Sequence, residues 1–203
     1  MLIRRGAEAE IHLTTWLGRK VISKHRVPKN YRLTELDDAL RVSRTKKEAK
    51  LITDARRLGI STPIIYDIDL LEHKIIMEYI DGPRIKDILK ESTPAQRREM
   101  FHKIGQDIGK LHRNDIVHGD LTTSNILKRG DKLYFIDFSL GDISEDIESK
   151  GVDMHLLQEA FESTHPELLD EFKFVLEGYH QEYSEAPRVE KKILEIIKRG
   201  RYT

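Results

Sequence analysis

The feature that most constrains the fold is a change of periodicity at Asp81-Gly82-Pro83. Ahead of it, apolar residues come in short strand-like runs; behind it, they recur at helical spacing, and neither pattern crosses that turn. Residues 2–5, 10–16 and 20–26 read as strands, punctuated by Gly6 and Gly18. A helical stretch follows over 34–58, where Leu36 and Leu40 and then Ala49, Ile52 and Ala55 form an apolar set interrupted by charges. The interruption leaves one helix or two open. Gly59 and Pro63 close this region, and 64–68 and 74–79 read as two further strands.

In the second half, Thr93-Pro94-Ala95-Gln96 is a capping-box start with proline at the first helical position. Met100, Ile104, Ile108 and Leu111 line one face of the helix it opens. Residues 116–117 and 126–127 are short extended pieces around a polar loop, and 133–136 is a strand reached through Arg129-Gly130-Asp131. Residues 153–161, 166–179 and 189–199 read as amphipathic helices. The expected architecture is α+β in two lobes, a β-rich N-lobe over 1–80 and a helical C-lobe over 81–203.

With 203 residues, the chain can bury a real core. It has no cysteine, which excludes disulfides, zinc fingers, iron–sulfur clusters and thiol catalysis. No apolar run approaches the roughly 18 residues a membrane span needs, and Met1-Leu2-Ile3-Arg4-Arg5 has no apolar signal core, so a cytosolic location is expected. The formal net charge is zero but polarised: +8 over residues 1–57, −12 over 130–187 and +4 over 188–203. Basic ends of this kind point to an anionic partner.

The chemistry is written in His118-Gly119-Asp120-Leu121-Thr122-Thr123-Ser124-Asn125. An Asp, an Asn five positions later, and then a strand ending in Ile136-Asp137-Phe138-Ser139 is the grammar of phosphoryl transfer. Asp120 can accept or orient the proton of an attacking hydroxyl, while Asn125 and Asp137 offer hard oxygen ligands to Mg²⁺. Protein kinases write these as H-R-D-L-x-x-x-N and D-F-G, so the chain departs from them at Gly119 and Ser139. In Val21-Ile22-Ser23-Lys24, the lysine stands at the end of a strand, where it would reach the α- and β-phosphates of ATP. Glu48 is its expected ion-pair partner, with Glu35 also on that helical stretch. Gly6-Ala7-Glu8-Ala9 is the expected phosphate-covering turn, and Glu78-Tyr79 the strand edge for an adenine. His118 is expected to hold the catalytic loop by hydrogen bonds. No A-P-E follows Asp137, and 66 residues remain, which predicts a reduced substrate lobe without switching by activation-loop phosphorylation.

Taken with Tyr31-Arg32, Leu36-Asp37, Arg44-Thr45, Glu48-Ala49, Asp137-Phe138-Ser139-Leu140-Gly141 and Gly151-Val152-Asp153, these motifs resemble the small atypical Ser/Thr kinase family of the KEOPS (EKC) complex. The resemblance runs essentially the whole length. It implies a minimal two-lobed protein-kinase-like fold and an ATP- and Mg²⁺-dependent kinase or ATPase. It also implies partnership with the tRNA threonylcarbamoyladenosine synthase subunit and other KEOPS subunits. Carried over, Asp120 would be the catalytic acceptor, Lys24 and Asn125 nucleotide-site residues and Asp137 the Mg²⁺ ligand. The closing Arg199-Gly200-Arg201 is similar to that family's basic tail, and Lys198, Arg199 and Arg201 are expected to meet tRNA phosphates. Three rivals stay open at this level: a small-molecule phosphotransferase, a RIO-like ribosome-maturation kinase, and a kinase-shaped scaffold without turnover.

Overall fold

The computed structural model describes residues 1–6 and 8–200. Five antiparallel strands form the first sheet: β1 (Leu2–Arg5), β2 (Ala9–Trp16), β3 (Arg19–Arg26), β4 (Ile65–Asp69) and β5 (Lys74–Glu78), in the order β1-β2-β3-β5-β4. Helix α1 (Thr34–Arg57) packs against this sheet as one unbroken 24-residue element. The sequence left two helices open because Leu36 is exposed and the N-terminal half of the buried face is polar. That face runs Asp37, Arg41, Thr45, Glu48, Ile52, Ala55, at helical spacing throughout. Ion pairs take over from apolar contacts: Asp37 accepts from Arg41 at 2.7 Å and from Arg32 at 3.4 Å.

The second half follows as α2 (Ile85–Ile88), α3 (Pro94–Arg113), β6 (Ile116–Val117), β7 (Ile126–Arg129), β8 (Lys132–Phe135), β9 (Asp142–Ile143), α4 (Ile147–Thr164), α5 (Phe172–Glu182) and α6 (Ala186–Gly200). The capping box at α3 is formed in both directions between Thr93 and Gln96. Helix α4 starts earlier than its apolar pattern, because Asp146 caps it by accepting from the Glu148 and Ser149 N–H groups at 3.1 and 3.3 Å. The stretch expected as one helix from 166 is a 3₁₀ turn (Pro166–Glu171) and then α5. Leu168, Phe172, Val175 and Tyr179 are buried in a row, so apolar spacing does not register where the winding tightens.

Helices α3 and α5 cross backbone to backbone. A Cβ on Gly105 would lie 1.9 Å from the Val175 carbonyl oxygen, and one on Gly178 2.0 Å from that of His102. Around this crossing Phe101, Phe161 and Phe172 meet edge-on, with centroids 4.9 and 5.4 Å apart. Such pairs add about 0.5–1.5 kcal/mol each beyond the area they bury. The main core draws Leu51, Ile52 and Ala55 from α1 and Ile60 beyond it, while Ala49, Ile75 and Met77 make a smaller core under the sheet. Helix α1 therefore belongs to both lobes, and it fixes the sheet relative to the helices. Among the described residues, no helix is long and apolar enough to cross a membrane.

Candidate active site

Strand β3 presents alternate residues to one side, so Ile22, Lys24 and Arg26 face the cleft between the sheet and α1. There the Lys24 ammonium donates to Glu48 Oε1 at 2.5 Å, to Asp137 Oδ1 at 2.6 Å and to Ser139 Oγ at 2.6 Å. Glu48, the expected partner, is the one that pairs; it is buried, and Glu35, the other glutamate of that stretch, is exposed. The other Glu48 oxygen accepts from Arg26 at 2.6 Å, and Arg26 reaches Glu8 at 3.3 Å. Glu8 is also bound by Arg44. Arg44, Glu8, Arg26, Glu48, Lys24 and Asp137 thus form a chain of six charges alternating in sign, which lets ionised groups lie buried without a net charge.

Electrostatics in this chain are pulled two ways. Burial favours a neutral Lys24 amine, but Glu48 and Asp137 overcome it and hold the ammonium pKa above the ordinary lysine value. Burial also favours a protonated Asp137; the Lys24 charge and the hydrogen bonds from Lys24 and Ser139 prevail and keep its carboxyl well below the usual carboxylate range. Ser139 stands where kinases carry glycine, and its hydroxyl donates to Asp137 Oδ1 at 2.6 Å. Asp137 itself has φ +67°, a left-handed conformation that Asp tolerates better than most residues.

The catalytic-loop candidates sit opposite. Asn125 donates through Nδ2 to the Asp120 carboxylate at 2.7 Å and to its carbonyl at 2.9 Å. With both amide hydrogens engaged, Asn125 Oδ1 is left as an acceptor. Gly119, in the place of the kinase arginine, has φ +81°, and a Cβ there would lie 2.2 Å from the Leu140 carbonyl oxygen. Any side chain would push the loop off the segment behind Asp137. His118 is buried, and its Nε2 donates to the Ile136 carbonyl at 3.1 Å; burial lowers its pKa and keeps it neutral.

Asp153 figures in the sequence only as part of a resemblance, yet it organises this loop. Fully buried on α4, it accepts from the His118 and Gly119 N–H groups at 2.7 and 2.9 Å and from His112 Nε2 at 3.2 Å. His112 is oriented in turn by the Tyr179 hydroxyl at 2.8 Å. The available signal was a carboxylate on the apolar side of a helix, and the cation three residues before it, Lys150, pairs with Asp115 instead.

A cavity of about 440 Å³ opens between the lobes, walled by Ile22, Lys24, Met77, Leu127, Asn125 and Asp137 among others. At its rim, Glu78, Tyr79 and Ile80 line the connection to the second lobe. Glu78 corrects the expectation in part: its N–H donates to the Ile64 carbonyl at 2.8 Å and its carboxylate accepts from Arg129 at 2.9 Å. Buried Ile80, which the sequence did not single out, shares that wall. Gly6, Glu8 and Ala9 do not line the cavity. The Gly6 N–H closes on the Ala9 carbonyl at 2.9 Å and Glu8 is tied to the two arginines, so the turn is fastened to itself and to α1. Ala7 lies outside the described residues, as does Arg201. At the other end, Lys198 is exposed, whereas Arg199 pairs with Glu148 at 2.8 Å and is not the free cation expected.

The donor set fits Mg²⁺ with a nucleotide. Among the described residues no three His, Cys, Asp or Glu side chains cluster to cage a metal. Asp137 and the Asn125 amide oxygen supply two hard donors on one cavity wall, as suits an ion that takes its remaining ligands from phosphates and water.

A RIO-domain family model matches residues 18–141. The chain is 42% identical over 210 residues to the KEOPS complex subunit Bud32 of Pyrococcus abyssi, covering 99% of this chain and 96% of that protein. It is 46% identical over 199 residues to a probable bifunctional tRNA threonylcarbamoyladenosine biosynthesis protein of Methanosphaera stadtmanae, covering 98% of this chain but 36% of that one. The chain thus spans a little over a third of such bifunctional relatives. Among solved structures, WaaP in complex with acyl carrier protein gives a TM-score of 0.71 at 16% identity, over 98% of this chain and 86% of WaaP. The Rio2 kinase ADP/Mg²⁺-phosphoaspartate complex from Chaetomium thermophilum gives 0.63 at 16% identity, over 98% and 70%. These two likenesses place the fold among kinase-like ones.

Proposed function

The chain belongs to the family of the KEOPS complex subunit Bud32, among RIO-domain proteins, and on that premise we propose that it is an ATP- and Mg²⁺-dependent atypical kinase or ATPase serving threonylcarbamoyladenosine modification of tRNA. The observation that carries the reading is convergence. Lys24 paired to Glu48, Asp137 beside Lys24, and Asn125, which fixes Asp120 behind it, come from four distant segments to one cleft. We take residues 1–80 as the nucleotide-covering lobe and 81–203 as the catalytic lobe.

In this reading, catalysis is positional and electrostatic. Lys24 and Asp137 hold each other at 2.6 Å, and each can exchange that partner for one half of a Mg²⁺–nucleotide complex, Lys24 for the phosphates and Asp137 for the cation. When bound, Mg²⁺ would neutralise charge on the transferring phosphoryl group. Asn125 Oδ1 would be the second protein ligand, Glu48 keeps Lys24 aimed, and the Glu78–Ile80 wall would flank the base. Asp120 receives the proton of the attacking oxygen, whether that oxygen belongs to a protein Ser or Thr or to water.

Incubation with γ-labelled ATP and Mg²⁺, wild type beside Lys24→Ala, tests this. Label on Ser or Thr, lost in the variant, identifies a protein kinase. Free phosphate alone, raised by the threonylcarbamoyl synthase subunit, identifies an ATPase that drives the modification. Neither product from a protein that binds ATP would overturn the reading in favour of a scaffold.

The family's partners, other KEOPS subunits and tRNA, and a cytoplasmic setting belong to the same proposal. For tRNA, the basic end of α6 is the candidate contact. Replacing Lys198 and Arg199 by alanine is expected to weaken tRNA binding and to reduce the slope of log affinity against log salt by roughly one for each phosphate no longer neutralised. An unchanged slope would remove the tail from the interface.

A further inference from the structure

The six-charge chain contains a member that phosphoryl transfer does not account for. Arg26 is 2% exposed, does not line the nucleotide cavity, and follows Lys24 by two residues on the same face of β3. We propose that Arg26 is a positioning residue: it fixes Glu48, and through Glu48 the Lys24 ammonium, while anchoring both to Glu8 ahead of β2. This inference rests on the phosphotransfer reading above.

The geometry divides Glu48 between two cations. Oε1 accepts from Lys24 at 2.5 Å and Oε2 from Arg26 at 2.6 Å. A carboxylate held at both oxygens cannot rotate. Without Arg26, Oε2 would be buried and unpaired, and Glu48 could turn both oxygens toward the lysine. Lys24 has two other acceptors, Asp137 and Ser139, each at 2.6 Å, so a loosened Glu48 changes where the ammonium sits. Displacements of about 1 Å at a reacting centre can cost about 10²-fold in rate.

Among the described residues, Arg26 is itself held at the tips of its fork, by Glu48 on one side and by Glu8 at 3.3 Å on the other, while its buried Nε has no partner there. Glu8 is steadied by Arg44 from α1. A planar fork can address two carboxylates lying in different directions, which a single ammonium does less well. The period of two that places Arg26 beside Lys24, and the α1 row Arg41, Arg44, Glu48, are both visible in the sequence. Their meaning appears only when β3 and α1 are laid together.

The experiment measures steady-state ATP turnover per ADP–Mg²⁺ binding site, with ADP–Mg²⁺ affinity by calorimetry, for wild type, R26Q, E8Q and the double variant. R26Q is expected to lower kcat about 10²-fold, with KM and ADP affinity within about threefold of wild type. E8Q is expected to lower kcat by less, and adding it to R26Q to change nothing further, because both act through one linkage. A merely structural arginine would reduce the number of binding sites and leave kcat per site unchanged. An R26Q kcat within about twofold of wild type, a loss confined to KM, or losses that multiply in the double variant would overturn the proposal. If R26Q does not fold, R26K keeps charge beside Glu48 and carries the same test, with E8Q expected to be without effect on that background. Wild type without turnover would overturn both this inference and the phosphotransfer reading; wild-type turnover with unchanged variants would overturn this one alone.

Discussion

Replacing Asp120 by alanine lowers the rate of phosphoryl transfer, to protein or to water, by about 10²–10⁴-fold and leaves nucleotide affinity where it was. The separation follows from the geometry. Asp120 does not line the nucleotide cavity, so its removal takes nothing from the base or from Lys24. The loop also keeps its shape, because Asn125 still donates to the carbonyl of residue 120 at 2.9 Å after the carboxylate has gone. Stability should change by no more than about 1 kcal/mol, the size of one ordinary hydrogen bond. Alanine is the cleaner probe than asparagine, whose amide oxygen could still accept from Asn125 Nδ2 while its NH₂ adds a donor beside the attacking hydroxyl. Single-turnover kinetics with saturating ATP, beside an equilibrium titration with ADP–Mg²⁺, check both halves. A rate within tenfold of wild type would remove Asp120 from the proton-handling role.

Much of this site is legible in the chain because its parts are fixed by local rules. Lys24 lies in the second half of β3, Asn125 follows Asp120 by five residues, and Asp137 comes two residues after β8, so order and spacing along the chain single each of them out. The strands and the capping box at Thr93 were similarly readable, since period two and Thr-x-x-Gln are local signals. What was not legible is long-range. Glu48 is expected over Glu35 from the motif, but the single unbroken α1 is not, because its buried face is polar in its first half, where hydrophobic periodicity has nothing to count. The turn expected over the phosphates is drawn to Arg26 and Arg44 instead, residues 18 and 36 positions away from Glu8. Gly119 reads in sequence as a missing arginine. In the fold it is a left-handed residue seated on the Leu140 carbonyl, a requirement set by a segment about twenty residues downstream. Buried charges escape sequence reading for a common reason: their partners are chosen by tertiary packing.

Asp153 is the sharpest such case, and its replacement by asparagine is expected to destabilise the fold by about 3–5 kcal/mol at neutral pH, as breaking a buried charged network does. Three donors converge on this carboxylate, two of them backbone N–H groups of His118 and Gly119. An asparagine has one acceptor oxygen, so its NH₂ must face at least one of those donors in a fully buried site. The effect carries a pH signature. Burial would raise the pKa of Asp153, but the bond and charge of His112, with His118 and its N–H, outweigh burial and hold it below the ordinary carboxylate value. A carboxyl lowered on folding contributes stability that is fully present above the unfolded pKa of about 3.9 and is lost as pH falls through the folded value. The asparagine has no such titration. Urea unfolding at pH 7 should therefore show the full difference between the two proteins, and the difference should shrink as the pH is taken below about 4. A gap that stayed constant with pH would mean that shape, not ionisation, is what the loop needs. Activity should fall with stability still in excess, because the N–H groups that Asp153 holds belong to the two residues immediately before Asp120: a catalytic loop tied at its backbone by a single buried anion loses its geometry before the protein loses its fold.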